Sequence, residues 1–341
     1  MEAQNRLLPQ WFHRIATGQL RLPRFQRFEA WGPKEISDLV ETVLRGLPAG
    51  ATLILQVGDK EKFISRGMVG APAATESVNE HLLDGQQRLT ALWRSFHDLY
   101  DDRTYFVRFL LDEEHDNILV PSVLAQARWP RDGNRYPLWA DQPLEVHARG
   151  LVPLRLLGPG DLAKEIPSWC EQATRGDYRA TLELIQLVTQ LRESVTTYNI
   201  PYLLLPVTTP RDVALDVFIK LNTSSVKLTA FDIVVAQVEA ATDQSLHQLV
   251  SDLIGRVPRL PDYVAPEDLI LSAAALREDR SPTQKSFQLI DYDRLVDEWD
   301  RLVSGARFAS PQLRVGRGGL RSMPPQMRKS IPMRASAEWK P

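Results

Sequence analysis

His81-Leu82-Leu83-Asp84-Gly85-Gln86-Gln87-Arg88-Leu89-Thr90-Ala91-Leu92-Trp93-Arg94-Ser95-Phe96-His97-Asp98-Leu99-Tyr100 carries two hydrophobic patterns joined at one dipeptide. Apolar Leu82 and Leu83 run into Asp84-Gly85, residues that favour a sharp change of backbone direction. Beyond it, Leu89, Leu92, Trp93, Phe96 and Tyr100 recur at helical spacing. Gln86, Gln87 and Arg88 then fall in the first turn of that helix. Backbone N–H groups without intrahelical partners gather there at the positive end of the helix dipole, which suits an anion and phosphate above all. Arg88 adds a planar fork able to hold phosphate through two hydrogen bonds. A plainer reading also fits: a strand-to-helix turn with a solvated polar collar. Asp-Gly turns are common, and spacing alone leans to the plainer reading.

The rest of the chain sets bounds on both. With 341 residues it has room for two domains or one large one. A hydrophobic fraction of 43% and a charged fraction of 25% describe an ordinary globular protein. The single cysteine, Cys170, excludes an intrachain disulfide framework and a cysteine-based zinc site. Neither a signal peptide nor an apolar run long enough to span a membrane is visible, so a cytoplasmic location is expected. The net charge of −2 hides an asymmetry. Residues 301–341 hold nine Lys/Arg against one acidic residue, while the remainder holds 32 basic and 42 acidic residues. Such a mildly acidic body does not suit a wide grip on DNA, so nucleic-acid contact is expected to be local or through the tail.

On the N-terminal side, residues 6–20 read as a short helix packing Leu7, Leu8, Trp11 and Ile15. Pro23 biases Leu22 towards an extended conformation. The stretch from Leu22 to Trp31 is dense in Arg, Gln and aromatic residues, either a functional segment or a surface loop anchored by Phe25 and Trp31. Gly32-Pro33 starts a helix with Ile36, Leu39, Val40, Val43 and Leu47 inward. Thr52–Val57 and Val78–Leu83 read as strands, separated by a Gly/Ala/Pro-rich loop.

On the C-terminal side, residues 105–111 alternate as a half-buried strand, followed by an acidic turn at Asp112–Asp116 and a return strand at Asn117–Val120. Residues 130–159, rich in Pro and Gly, read as a linker or irregular subdomain. A mostly helical pattern follows, with Leu182, Ile185, Val188 and Leu191 on one long helix. Ile200–Val207 reads as a strand that Pro201 and Pro206 confine to an edge or shorten. Residues 211–221 form a helix with Val213, Val217, Phe218 and Leu221 inward. Asn222 ends it, and Thr229 with Asp232 resembles a capping box for the next helix. Further helices are expected around 244–255, 266–277 and 288–303. The fold class is thus α+β. An α/β unit spans 1–135, a mainly helical region 136–305, and a basic tail without apolar period, expected to be disordered, 306–341.

Familiar catalytic arrangements are absent. Neither a Gly-x-x-x-x-Gly-Lys-Ser/Thr loop nor a Gly-x-Gly-x-x-Gly run occurs. The six histidines are scattered; His81 sits inside a strand and reads as a packed histidine, and Cys170 as structural. Three polar clusters in apolar scaffolding remain: Gln26-Arg27, Asp84 to Arg88, and Asn222, which by itself reads as a helix cap.

Pro23-Arg24-Phe25-Gln26-Arg27-x-x-x-Trp31, then Leu82-Leu83-Asp84-Gly85-Gln86-Gln87-Arg88-Leu89-Thr90-Ala91-Leu92, then Val217-Phe218-Ile219-Lys220-Leu221-Asn222-Thr223-x-x-x-Lys227-Leu228-Thr229-Ala230-Phe231-Asp232 occur in that order. Together they resemble the N-terminal domain of GmrSD-type, modification-dependent restriction systems, within the ParB/sulfiredoxin-like superfamily, over roughly residues 5–240. The resemblance implies a nucleotide-binding and NTP-hydrolysing domain, a sensor whose state licenses DNA cleavage in anti-phage defence. It carries Asp84, Gln86, Gln87 and Arg88 over as catalytic residues, and Gln26, Arg27, Gly85, Arg88, Phe218 and Asn222 as nucleotide-binding residues. Arg88 and the helix start would hold phosphates, and Arg27 would offset charge developing in transfer. Gln86 or Gln87 would orient water, and Asp84 would hold Mg2+ or accept a proton.

Two departures stand out. The first motif commonly has an aromatic residue where this chain has Glu29, and no His-Asn-His-like constellation follows residue 240. The implied HNH-type nuclease is then a partner or a missing C-terminal domain, and the change of composition near residue 306 fits a truncated or shifted reading frame. Sulfiredoxin chemistry is disfavoured because no cysteine lies near the motif. The alternatives are a non-hydrolysing ParB-like regulator that binds DNA or nucleotide, and a direct DNA nuclease.

Overall fold

The computed structural model describes residues 2–26, 29–112, 118–222, 230–242, 244–287 and 289–313. The chain divides into two compact units, Met1–Leu228 and Thr229–Pro341. The first opens with β1 (Glu2–Leu7), α1 (Leu8–Thr17), β2 (Leu20–Pro23), α2 (Pro33–Leu44), β3 (Thr52–Gln56), β4 (Ser65–Arg66), β5 (Glu80–Asp84) and α3 (Gln86–Phe96). It continues with β6 (Arg103–Asp112), β7 (Ile118–Ala127), the hairpin β8 (Trp129–Arg131) and β9 (Asn134–Tyr136), then α4 (Pro143–His147), β10 (Leu151–Pro153), α5 (Glu165–Ala173), α6 (Tyr178–Thr196), β11 (Asn199–Leu205) and α7 (Arg211–Asn222). The α+β expectation holds.

A six-stranded mixed sheet, in the order β1-β11-β3-β5-β2-β4, carries the motif strand β5 near its middle. β5 runs antiparallel to β3 and parallel to β2. Helices α2 and α3 then bury Ile36, Val40, Val43, Leu89, Leu92 and Phe96 against Leu20, Leu22, Ile54 and Leu82. Each fully buried aliphatic side chain contributes about 1.5–3 kcal/mol, so α3 is held mainly by packing. A buried ion pair ties the edge strand inward: Arg6 donates two 2.7 Å bonds to Glu80. Its guanidinium lies between the rings of Trp11 and Tyr202, at 4.3 and 4.5 Å.

Several expectations are corrected. The first helix begins only at Leu8, because residues 2–7 pair with β11, and Leu7 is exposed. Of the two readings of residues 130–159, linker and irregular subdomain, the linker fails. β10 pairs with β6, and Val146, Leu151, Val152, Leu154, Leu156 and Leu157 all enter the core, so the apolar residues between the prolines and glycines decide the outcome. β11 is interior rather than an edge. Its parallel ladder with β3 starts at Tyr202, one residue beyond Pro201, so the missing proline N–H falls outside that ladder. On α6 the buried stripe is Leu184, Val188, Leu191 and Val195, with Leu182 exposed. On α7 Ala214, Leu215 and Phe218 are inward and Val213 is exposed. The return strand is longer than expected; of the acidic turn expected at Asp112–Asp116 only Asp112, the last residue of β6, is described, and of the capping pair Thr229 lies outside the described residues.

The second unit holds α8 (Ala230–Thr242), α9 (Leu246–Arg256), α10 (Pro266–Arg277), α11 (Gln284–Phe287), α12 (Tyr292–Asp297) and α13 (Trp299–Leu313). The helix expected over 288–303 is two helices. α13 continues past the expected tail boundary at 306, anchored by buried Val303 and Ala306. Residues 314–341 lie outside the described residues. Among the described residues, no helix is long and apolar enough to cross a membrane.

Candidate functional site

β5 ends at Asp84, and α3 starts two residues later, so the chain must turn at Gly85. Gly85 does so at φ +93°, and a Cβ there would lie 2.5 Å from Thr52 Cγ2 on the neighbouring strand. Both the left-handed backbone and the close approach require glycine. The Gly85 carbonyl accepts the first intrahelical bond, from the Leu89 N–H at 3.0 Å. One turn of helix brings Arg88 back beside Asp84, with Nη2 3.2 Å from Oδ2.

The Arg88 guanidinium is further engaged. Nη1 donates to the Ala49 carbonyl at 2.8 Å and Nη2 to the Ala51 carbonyl at 2.7 Å. The turn it holds leads into β3 and walls an open cleft of about 630 Å³ that Arg45, Thr197 and Tyr198 also line. Tyr198 donates its hydroxyl to the Leu47 carbonyl at 2.6 Å, fixing the same turn from its other side.

The first motif reaches this corner through Gln26, which is 4% exposed. Its Nε2 donates to the carbonyls of Leu82 and Leu83 at 2.7 and 3.1 Å. Two carbonyl oxygens must face the NH2 of the amide, so Oε1 points the other way, where it is buried without a partner. Beside it, Phe25 packs edge-on against Phe63 and Phe218, at 5.2 and 5.1 Å between ring centres. Arg66 donates to the Gln26 carbonyl at 3.2 Å, and burial pulls its guanidinium below its ordinary pKa. Farther along, the Ala30 N–H donates to Gln87 Oε1 at 2.8 Å. Glu29 receives Arg94 Nη1 at 2.5 Å together with the Tyr100 hydroxyl.

The structure thus gathers Gln26, Asp84, Gly85, Gln86, Gln87, Arg88 and Phe218 around the end of β5 and the start of α3. Arg27 lies outside the described residues. Asn222 closes α7, and its side chain lies outside them too. The collar is not the solvated one of the plainer reading, because Gln86 is buried and Gln87 and Arg88 are half-buried. His81 is a packed residue, fully buried with Nε2 2.9 Å from Glu61 Oε2. Burial lowers its pKa, against the opposing pull of Glu61. Sequence reasoning missed Thr52, Gly50, Arg66 and the Glu29–Arg94–Tyr100 group. Of these only Glu29 had a signal, a charged residue at an aromatic position.

Among the described residues, no group of three or more His, Cys, Asp or Glu gathers as a metal cage. Asp84 is a single carboxylate already beside Arg88. That donor set fits Mg2+ only as an ion arriving with phosphates, the usual way this cation is shared between one or two carboxylates and a nucleotide.

The family model described as "GmrSD restriction endonuclease, N-terminal domain" matches residues 8–239. The match spans the three motifs, all of the first unit from α1 onward and most of α8. No curated protein matches the chain.

Proposed function

Because this chain belongs to the family of GmrSD restriction endonuclease N-terminal domains, and so to restriction defence, we propose that its Asp84–Arg88 corner binds a nucleoside triphosphate and hydrolyses it. The nucleotide state then governs cleavage of DNA, modified DNA included, by an HNH-type nuclease domain or partner. The observation that carries this reading is the seating of the first motif against the end of β5, with the third motif packed on the first. Gln26 is bonded to Leu82 and Leu83 just before Asp84, and Phe218 is packed on Phe25.

Each group has a task suited to its chemistry. The N-terminal turn of α3 and Arg88 hold phosphate oxygens, and Arg27 offsets charge as it moves onto the leaving diphosphate. Asp84 would hold the magnesium that arrives with the nucleotide, and the ion would neutralise phosphate charge. The buried Gln26 Oε1 is an acceptor and cannot hold a phosphate oxygen. It suits an O–H donor, either a sugar hydroxyl or the attacking water. Gln86 shares that task, whereas Gln87 already has its oxygen on Ala30. The adjoining cleft is within the size range of small-ligand sites.

Phosphate release from ATP, GTP, CTP and UTP with magnesium, with and without DNA, tests hydrolysis. Turnover that Arg88→Ala abolishes is the expected result; no turnover of any of the four by the folded protein removes the enzymatic reading. A second reading, ParB-like binding of nucleotide without hydrolysis, is favoured by the engagement of Arg88 with Ala49, Ala51 and Asp84 and of Gln87 with Ala30. Nucleotide-dependent stabilisation without turnover would support it. A ligand at 100 times its dissociation constant adds about 2.7 kcal/mol.

A further inference from the structure

The segment from Arg24 to Gly32 joins β2 to α2 and carries Gln26. It is fastened at points that do not touch one another. At one end, the Arg24 N–H donates to the Ile64 carbonyl at 2.8 Å, and Gln26 grips β5. At the other, two successive residues hold α3: the Ala30 N–H on Gln87, and the Glu29 carboxylate on Arg94. Gln87 and Arg94 lie about two turns apart on α3, so they share one stripe of the helix.

The Glu29 contact is built as a buried pair. The side chains of Glu29 and Arg94 are 9% and 19% exposed. Arg94 stacks over the Tyr100 ring at 3.9 Å and donates to the Leu99 carbonyl at 3.0 Å, which leaves its fork one orientation. Tyr100 in turn donates its hydroxyl to Glu29. A charge pair this enclosed is a weak source of net stability, because desolvation offsets much of its attraction, but it fixes register well. What it fixes here is the placement of Glu29 and Ala30 along α3, three and four residues beyond Gln26.

We propose that Glu29, with Arg94 and Tyr100, is a positioning residue that sets the first motif in register over the start of α3. This rests on the reading of the Asp84–Arg88 corner as a nucleotide site. Glu29 touches no ligand in this role. Its carboxylate anchors the motif by charge, and Arg94 and Tyr100 are the matching half.

The test compares Glu29→Gln, Arg94→Gln, the double variant and Tyr100→Phe with the wild-type chain. Each is followed by thermal melting, NTP turnover with magnesium and limited trypsin digestion, with cuts after Arg24 mapped by mass spectrometry. The expected result is a loss in kcat of roughly ten- to a hundredfold for Glu29→Gln, with KM changing less, since displaced catalytic groups cost rate before affinity. The double variant should lose no more than the worse single one, because the two residues act as a unit. Cutting after Arg24 should speed up while cuts in the second unit do not. Variants with native melting, unchanged kcat and unchanged cutting after Arg24 would overturn the proposal. If Glu29→Gln fails to fold, Tyr100→Phe, which removes only one hydroxyl, decides by the same readouts. A wild-type chain with no turnover defeats the hydrolysis reading instead, and the digestion arm then decides the positioning role alone.

Discussion

Gly50 lies against the Arg88 guanidinium so closely that a Cβ at this position would overlap Nη1. Gly50 also holds φ +85°, a conformation L side chains rarely adopt. Gly46, in the same turn, has φ +65° but open space around its Cβ position. Gly46→Ala is therefore expected to show backbone strain alone, about 1–2 kcal/mol. Gly50→Ala should add displacement of Arg88 from the Ala49 and Ala51 carbonyls, for a total of about 2–4 kcal/mol. Denaturant unfolding of both variants checks the difference, and equal losses would mean that Arg88 is not seated on this turn.

The Arg6–Glu80 pair should behave as a buried ion pair. Glu80→Ala leaves the Arg6 guanidinium between Trp11 and Tyr202 without its carboxylate, although Arg14 also lies 3.5 Å from Glu80. A loss of about 3–5 kcal/mol is expected in chemical unfolding. A double replacement of Arg6 and Glu80 by apolar residues should cost clearly less than the single one.

Fold and site should separate on α3. Leu92 is fully buried, so Leu92→Ala is expected to cost about 2–5 kcal/mol of stability. Arg88→Ala removes a half-buried side chain and should leave a folded chain with impaired nucleotide handling. Circular dichroism melting of the two variants distinguishes a packing residue from a site residue.

His81 sets a pH dependence. Its pKa is lowered from the usual 6.5 mainly by burial. Above 6.5 both folded and unfolded chains carry it neutral. As pH falls below 6.5, the unfolded chain takes a proton that the folded chain refuses, so stability declines towards acid. His97, also lowered by burial, adds in the same direction. His81→Gln should flatten the melting temperature between pH 5 and 6.5, removing at most about 1.4 kcal/mol per pH unit.

How much of this was legible in the sequence depended on the range of the interaction. The β5–α3 junction was readable because a period change, an Asp-Gly turn and a polar first turn lie within a few residues. The helix at Gly32-Pro33 was readable for the same reason. Pro201 misled because a proline excludes a residue from one ladder position, not from the interior of a sheet. Residues 130–159 misled because their prolines and glycines masked Leu154, Leu156 and Leu157, whose burial depends on β6. The seating of Arg88 on Ala49 and Ala51 had no local signal, since backbone carbonyls are available at every residue. Glu29 was visible as a departure, but its partners Arg94 and Tyr100 were visible only in three dimensions.

Calorimetric titration of the four nucleoside triphosphates, with magnesium, into the wild-type chain and Arg88→Ala decides whether the Asp84–Arg88 corner binds nucleotide. Losing charge-assisted hydrogen bonds worth about 1.5–3 kcal/mol should weaken binding roughly ten- to a hundredfold, in a variant that still folds but melts lower for want of the Ala49 and Ala51 bonds. Equal affinity in the two proteins, or no binding by the folded wild-type chain, would contradict a nucleotide site at Asp84–Arg88.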